Sequence, residues 1–447
     1  MSVEDDFDES IRLLEALYHE PIVPAARAEP RRTLALLAAL DNPHHQFRSV
    51  HIAGTTGKGS TTTMVGRILE EAGFRTGYFR SPHLQSYRER IAVGSAEIDA
   101  ESWVKTFQTV WEVVKRMRSN ALPDYDLGRP SLFDVTFAMA ALYFRDSGVE
   151  WGAVETGLGG RLDPTNVLAP DVAVITNVSL EHTQVLGRTV EQIASEKAAI
   201  IKQGSNAVTA ADDPAALAVV ESRAREVGVP LLRVGLDVRV TTQHADARMQ
   251  RIRLESGDHV LEVSLPLGGL FQATNAATAY AVAVALRNRH LAIKDGAVVR
   301  GLESTTVPGR FEVVRGEPLV VVDGAHNPAG AAVLAETLQA VRRGRPITVL
   351  FASMRDKDFR RMAKELEPLA ESVVLTVAPG TDRAADVKSL QSAFSGQPDL
   401  VLEPDAETAM NLALAKTPSN GMLVVTGSLY LVGYARSRLL ATMAATQ

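Results

Sequence analysis

The sequence predicts an α/β protein built on parallel sheets in two domains, and three features predict it. Short β-branched runs alternate with helical patterns along most of the chain. That alternation stops at a turn-rich VPGR, Val307–Arg310, and then restarts. A glycine-bracketed lysine in HIAGTTGKGSTTTMVGRILEEAG, His51–Gly73, sits where an apolar strand gives way to a helix. At 447 residues the chain is also longer than one hydrophobic core usually supports. We place the boundary near residue 305, with a phosphate-loop sheet domain over 1–305 and a smaller Rossmann-like α/β domain over 306–447.

In the first stretch SVHIA (Ser49–Ala53), RTGYF (Arg75–Phe79), WGAVE (Trp151–Glu155) and DVAVIT (Asp171–Thr176) read as buried strands. Each is followed by a polar or glycine-rich loop, and such loops gather beyond the carboxyl ends of the strands, where open α/β sheets bind ligands. From Arg233 to Leu265 the alternation VRVTTQ, MQRIRLES, HVLEVSL predicts antiparallel strands tucked onto the sheet as an excursion. The second stretch offers LVVVD (Leu319–Asp323), ITVLFA (Ile347–Ala352), SVVLTV (Ser372–Val377) and MLVVTG (Met422–Gly427). No fixed-period repeat argues for a solenoid.

Hydrophobic residues make up 46% and charged residues 22%, values of a folded globular chain. A net charge of −6 argues against a general nucleic-acid or membrane surface, so an anionic ligand needs a local positive site. With no cysteine, disulfides, thiolate metal sites and thiol nucleophiles are excluded. The start MSVEDDFDES is acidic where a signal peptide is basic, and the longest apolar stretch, Ala276–Leu286, is too short to span a bilayer. The expectation is a cytoplasmic protein with small-molecule partners.

A helix that starts just after a strand offers unpaired N–H groups and a partial positive charge, which together hold a phosphate. Gly54, Gly57 and Gly59 let the backbone approach one, with Thr55 and Thr56 between them. Lys58 adds a full charge, and Ser60 and Thr61 add hydroxyls in the first helical turn. The strict phosphate-loop pattern is not met, because Ile52 stands where its first glycine belongs and Gly59 follows the lysine directly.

GTTGKGS (Gly54–Ser60) resembles the GTNGKGS loop of the folylpolyglutamate synthase and dihydrofolate synthase family, a branch of the Mur ligases. Further segments match in the same order: RSPHLQSYRERI (Arg80–Ile91), ETGLGGRLDPTN (Glu155–Asn166), EHTQVLG (Glu181–Gly187), EKAAI (Glu196–Ile200), PGRFE (Pro308–Glu312), DGAHNP (Asp323–Pro328) and TGSLYLVG (Thr426–Gly433). The resemblance runs from about Val50 to Gly433. It implies the Mur ligase architecture, and an ATP-dependent, ADP-forming ligase adding L-glutamate to dihydropteroate, to tetrahydrofolate, or to both. Such a ligase would transfer the γ-phosphate to a carboxylate and let an amine attack the acyl phosphate.

The resemblance also implies site residues. Ser81, Glu155 and His182 match positions the family uses for magnesium, two ions in all, and Lys197 matches a lysine that is carbamylated and serves the second metal. Asn275, Arg310 and Asp323 match nucleotide contacts, with His326 in the same loop as Asp323. ATP, magnesium, a monovalent cation and a monomeric state complete what the resemblance implies. By residue type alone other readings stay open. A strand-end glutamate is commonly solvated, a lone histidine structural, and a helix lysine among Ile193, Ala194, Ala198 and Ile201 a snorkelling side chain. Asn275 could equally start a helix, and Arg310 could form a surface ion pair.

The chain departs from the family pattern at Thr56, Asp134, Glu181 and Phe271, and those at Thr56, Asp134 and Phe271 bear on nucleotide or pterin binding. A Mur-type ligase acting on another carboxylate remains a second reading, although the GKGS, SPHL and GLGGRLD forms favour folate. A catalytically silent nucleotide-binding module is a third, against which stands the joint presence of Lys58, Glu155, His182 and Lys197.

Overall fold

A computed structural model describes residues 2–19, 30–119 and 129–444. The chain divides into two compact units, Met1–Val240 with Arg253–Val263 and Thr274–Thr305, and Thr241–Ile252 with Ser264–Ala273 and Thr306–Gln447.

The first unit carries strands β1 (Arg48–Ala53), β2 (Thr76–Phe79), β3 (Ile91–Val93), β4 (Ala96–Glu97), β5 (Trp151–Glu155), β6 (Val172–Ile175), β7 (Asn206–Thr209) and β8 (Leu231–Arg233). They form one sheet in the order β4-β3-β2-β5-β1-β6-β7-β8, antiparallel only at β3 and β4. Strand β1 has a single exposed residue, as a strand covered on both faces should. Ile52 pairs with Glu155 on one side and with Val174 on the other, so the carboxyl ends of β1, β5 and β6 lie level. From β1 the chain moves to one side for β2 to β5 and then to the other for β6 onward. The order reverses at β1, the place where an open α/β sheet leaves a crevice.

One face of this sheet is covered by a core that includes Leu14, Trp103, Phe107, Phe137 and Phe144. The helix Ala100–Arg118 starts at Asp99, whose carboxylate accepts from Ser102 N, and carries Lys115, Arg116 and Arg118 in its last turn. The helix Leu132–Asp146 starts with a capping box of Ser131 and Asp134. Asp134 is buried and also receives Arg32 at 2.7 Å and the Thr33 hydroxyl at 2.5 Å. Its carboxylate is thus committed to holding two helix starts together, which gives this departure from the family pattern a structural role.

Strands β9 (Arg239–Ala245), β10 (Gln250–Ser256) and β11 (His259–Leu265) make a sheet of their own, in the order β11-β10-β9, where the sequence predicted strands laid onto the large sheet. The burial pattern explains the difference. β11 alternates buried and exposed residues from Leu261 onward, so one of its faces is wet, whereas inner strands of the large sheet such as β1 and β5 are covered on both.

The second unit carries β12 (Glu312–Arg315), β13 (Leu319–Val322), β14 (Ile347–Phe351), β15 (Ser372–Leu375), β16 (Leu400–Leu402) and β17 (Met422–Thr426), in the order β12-β13-β17-β14-β15-β16. Only β12 runs antiparallel to its neighbour. Its core joins Val321, Val349, Phe351 and Val424 of the sheet to Leu334, Leu338, Met362 and Phe394. Among the described residues no helix is long and apolar enough to cross a membrane.

Two histidines are buried as neutral rings. His44 is 4% exposed and His51 fully buried, and burial pushes their pKa values down from 6.5 to about 4 and about 3. Such groups bind protons more readily when the chain is unfolded, so their contribution is complete above pH 6.5 and is lost as pH falls toward 4 and 3. Each unit of depression is worth about 1.4 kcal/mol. Urea melts at pH 7.5 and 5 should therefore show a lower midpoint at pH 5, with net proton uptake on unfolding.

Candidate active site

The sequence-predicted phosphate loop lies on the carboxyl edge of the first unit's sheet, between β1 and the helix Lys58–Glu71. It is seated on the segment after β6. Thr55 N donates to Asn177 O at 2.9 Å, Thr56 N to Asn177 Oδ1 at 2.8 Å, and Asn177 Nδ2 to the Thr56 hydroxyl at 2.7 Å. The Thr176 hydroxyl donates to Thr56 O at 2.7 Å, and Ser179 N to the Thr55 hydroxyl at 3.0 Å. A Cβ on Gly54 would stand 1.8 Å from Thr176 Oγ1, which is why no other residue fits there. At Gly57 the φ of +81° is left-handed, and a Cβ would stand 2.4 Å from Asn275 Oδ1. Gly57 caps the helix without a side-chain hydrogen bond, so its first turn keeps donors for a ligand. Ser60 and Thr61 are buried in that turn, and among the described residues the Thr61 hydroxyl has no partner.

Two lysines meet at one carbonyl. Lys58 Nζ donates to Gly54 O at 3.1 Å and Thr55 O at 3.3 Å, and Lys197 Nζ donates to the same Gly54 O at 2.8 Å. Lys197 projects from the helix Val190–Ala198 and is 1% exposed. Its other bond, 2.6 Å, is to the Glu181 carboxylate. Burial lowers the Lys197 pKa to about 8; the Glu181 charge works against that shift, and Lys58 adds to it. Lys197 is therefore no snorkelling lysine, since its ammonium clamps the loop that Lys58 belongs to.

Glu155, at the end of β5, is 3% exposed, and its Oε2 accepts from Ser81 N at 3.0 Å. That oxygen lies 3.5 Å from where a Cβ on Gly59 would be, so it faces the start of the phosphate-loop helix. Arg80 is half-buried beside it; desolvation lowers its pKa, and the charge of Glu155 is among those that oppose the shift. His182 is exposed, in a left-handed conformation with φ +44°, at the start of the short helix Thr183–Leu186. Among the described residues no three acidic or histidine side chains gather as a metal cluster. The donors present still suit a magnesium ion, which takes hard oxygens, often only one or two carboxylates, and fills its shell with water and phosphate. Glu155 and the unpartnered Thr61 hydroxyl are such oxygens.

The loop after Glu155 is built by a buried chain of polar groups. Asp163 accepts from Leu158 N at 2.8 Å and from the Thr165 hydroxyl at 2.5 Å, and His51 Nε2 lies 2.7 Å from that hydroxyl. Since the hydroxyl gives its proton to Asp163, it accepts from His51 Nε2–H.

In the second unit Asp323 is buried at the end of β13, and its carboxylate accepts from Phe311 N at 2.8 Å and Ala325 N at 2.9 Å. Burial raises its pKa, against the opposing effects of Arg310 and the two N–H groups. Arg310 and His326 Nδ1 both donate to Gly324 O, at 3.4 and 2.8 Å. Asp323 thus shapes the DGAHNP turn. The sequence had singled out neither the Thr176–Ser179 seat nor Asp163; polar residues just beyond a buried parallel strand were the signal for the former.

The domain models that match this chain are those of Mur ligases: the middle domain over residues 52–283 and the glutamate ligase domain over 309–429. The chain belongs to the folylpolyglutamate synthase and dihydrofolate synthase family of Mur ligases. It is 34% identical over 413 residues to dihydrofolate synthase/folylpolyglutamate synthase of Bacillus subtilis, spanning 91% of this chain and 94% of that one. Its fold is similar to Mycobacterium tuberculosis folylpolyglutamate synthase, solved with ADP and AMPPCP, at a TM-score of 0.89 and 31% identity over 98% of this chain and 99% of that one. Escherichia coli FolC, solved with DHPP and ADP, gives a TM-score of 0.85 at 27% identity over 98% of each chain.

Substituting Gly54→Ala drives a methyl group into Thr176 and lifts the loop. Titration with a fluorescent ATP analogue should show affinity reduced by about tenfold or more, with the far-UV circular dichroism spectrum unchanged.

Proposed function

We propose that this protein is an ATP-dependent, ADP-forming ligase that joins L-glutamate to dihydropteroate, to tetrahydrofolate, or to both, through an acyl phosphate. The observation that carries the proposal is an open helix start at Gly57, with Lys58 in its first turn and the buried Glu155 carboxylate facing it. The names and bound ligands of the relatives supply the acceptor class and the nucleotide.

On this proposal the nucleotide phosphates lie on the N–H groups of Gly57, Lys58, Gly59 and Ser60, with Thr55 and Thr56 shaping the turn. Lys58 exchanges the carbonyls of Gly54 and Thr55 for phosphate oxygens, a trade of neutral acceptors for charged ones. In the unmodified form Lys197 holds Gly54 O from the other side. A carboxylate oxygen of the acceptor attacks the γ-phosphorus and ADP departs; the glutamate nitrogen then attacks the acyl carbon, phosphate leaves, and the nitrogen gives up a proton. Magnesium, when bound, neutralises the phosphate charge. Ser81, Glu155, His182 and Lys197 are the proposed holders of two such ions.

Carbamylation of Lys197 belongs to the same proposal. A pKa of about 8 leaves on the order of a tenth of the amine neutral at pH 7, and only the neutral amine takes up CO2. A carbamate beside Glu181 would need a cation to offset the second negative charge. A monovalent cation enters on the family resemblance alone. Asn275, held against the phosphate loop at Gly57, is a proposed nucleotide contact. Arg310, Asp323 and His326 are proposed nucleotide contacts on the resemblance, supported by the shared turn they build. The proposed division is an ATP-binding domain over 1–305 and a C-terminal domain over 306–447, in a cytoplasmic monomer.

Phosphate release should require ATP, an acceptor and glutamate together, and dihydropteroate and tetrahydrofolate compared side by side will show which is used. Acceptor labelled with 18O in its carboxylate should pass label into the released phosphate. Release with ATP alone, or phosphate without label, would contradict the proposal. Lys197→Ala should lose about a hundredfold in turnover while ATP affinity changes by less than about tenfold; undiminished turnover would remove Lys197 from the mechanism.

A further inference from the structure

The segment after β2, Ser81–Arg90, is folded around its own charges. Glu89 Oε2 accepts from Leu84 N at 2.7 Å, and its Oε1 accepts from Gln85 N at 2.6 Å and Ser86 N at 2.7 Å. Arg88 Nε donates to Ile98 O at 2.6 Å. Arg90 Nε donates to His83 Nδ1 at 2.9 Å.

That last bond decides the state of the histidine. A guanidinium is always protonated and has no lone pair to offer, so the bond exists only if His83 Nδ1 is the acceptor. The ring is then neutral, with its one proton on Nε2. Tyr87 lies against it with ring centroids 4.2 Å apart, and the Arg90 guanidinium sits 5.0 Å above the Tyr87 ring. The imidazole is therefore fixed in both orientation and tautomer. Among the described residues no acceptor takes the Nε2–H.

Its position matters for the chemistry. Two residues before His83, Ser81 N is bound to Glu155, which faces the phosphate loop, so His83 stands on the same carboxyl edge of the sheet. We propose that His83 is a substrate-binding residue whose Nε2–H is a neutral donor for a carboxylate oxygen of one of the two acids the enzyme joins. The inference rests on the ligase proposal above. Two acids present carboxylates, the acceptor and the incoming glutamate, and either could supply the oxygen. A neutral donor binds it without adding a cation that would compete with Lys58 for the triphosphate.

The test measures KM for ATP, acceptor and glutamate separately in the full chain carrying His83→Ala, His83→Gln, Arg90→Met or Arg90→Lys. His83→Ala is expected to raise the KM of one acid about 10- to 100-fold and that of ATP by less than about twofold, as loss of a hydrogen bond to a charged group does. The acid whose KM moves is the one bound. His83→Gln, which keeps a donor near Nε2, should recover part of the loss. Arg90→Met frees the tautomer and should give a smaller rise in the same KM, which Arg90→Lys largely restores. Nitrogen-15 spectra of the parent protein should show the neutral Nε2–H form at His83, mixed with Nδ1–H in Arg90→Met.

Unchanged KM values, a rise for ATP alone, or an Nδ1–H tautomer in the parent would overturn the proposal. If His83→Ala does not fold, His83→Gln and Arg90→Met decide it by the same KM values. A parent protein that releases phosphate without either acid would instead sink the ligase proposal, a failure visible before any variant is made.

Discussion

The first unit depends on how closely the Gly54–Gly57 turn lies on the segment after β6. A helix start can offer its N–H groups to a phosphate only if something else holds the turn in front of it. Here Thr176, Asn177, Ser179 and Lys197 take up its carbonyls, hydroxyls and outer N–H groups. The side-chain cap an ordinary helix would carry is absent, and the donors it would consume are left for a ligand. Gly54 is the hinge of the arrangement, because the 1.8 Å approach to Thr176 excludes any side chain.

The same seat gathers charge. Lys58 and Lys197 converge on one carbonyl, and the Lys58 charge disfavours the Lys197 ammonium. Glu181 offsets this at 2.6 Å. Removing a buried charge from water costs about as much as pairing it returns, so such a pair adds little net stability. Its effect is geometric, since it fixes Lys197 against the Gly54 carbonyl. Asp134 shows the opposite economy: all its capacity goes to Arg32, Thr33 and Ser131, and it stabilises two helix starts.

Histidine illustrates how one residue type is assigned different tasks by its neighbours. His51 donates through Nε2 to Thr165 inside the protein, and His83 is locked by Arg90 on the surface loop. His182 stands exposed at a left-handed turn. His326 gives its Nδ1–H to Gly324 O. Nothing in a one-dimensional spacing distinguishes these, because each tautomer is set by a partner many bonds away or by a backbone carbonyl reached only after folding.

Much of the architecture was legible in the sequence. The long buried runs such as Val50–Ala53, Trp151–Glu155 and Leu319–Val322 are strands in which every residue is buried, as in a sheet covered on both faces. The start of the helix at Lys58 followed from glycines placed between strand and helix, a local rule. The short strands Glu312–Arg315 and Leu400–Leu402 left too little pattern to read. The chain by itself determined the long buried strands and the helix that starts at Lys58, since these follow from neighbours within a few residues. Only the tertiary structure decided that β17, last of the strands in sequence, lies between β13 and β14, that β9–β11 form a separate sheet, and that Lys197 reaches Gly54 across 143 residues. Those depend on which surfaces meet when apolar faces are buried, and contacts between distant segments leave no periodic trace in a single sequence.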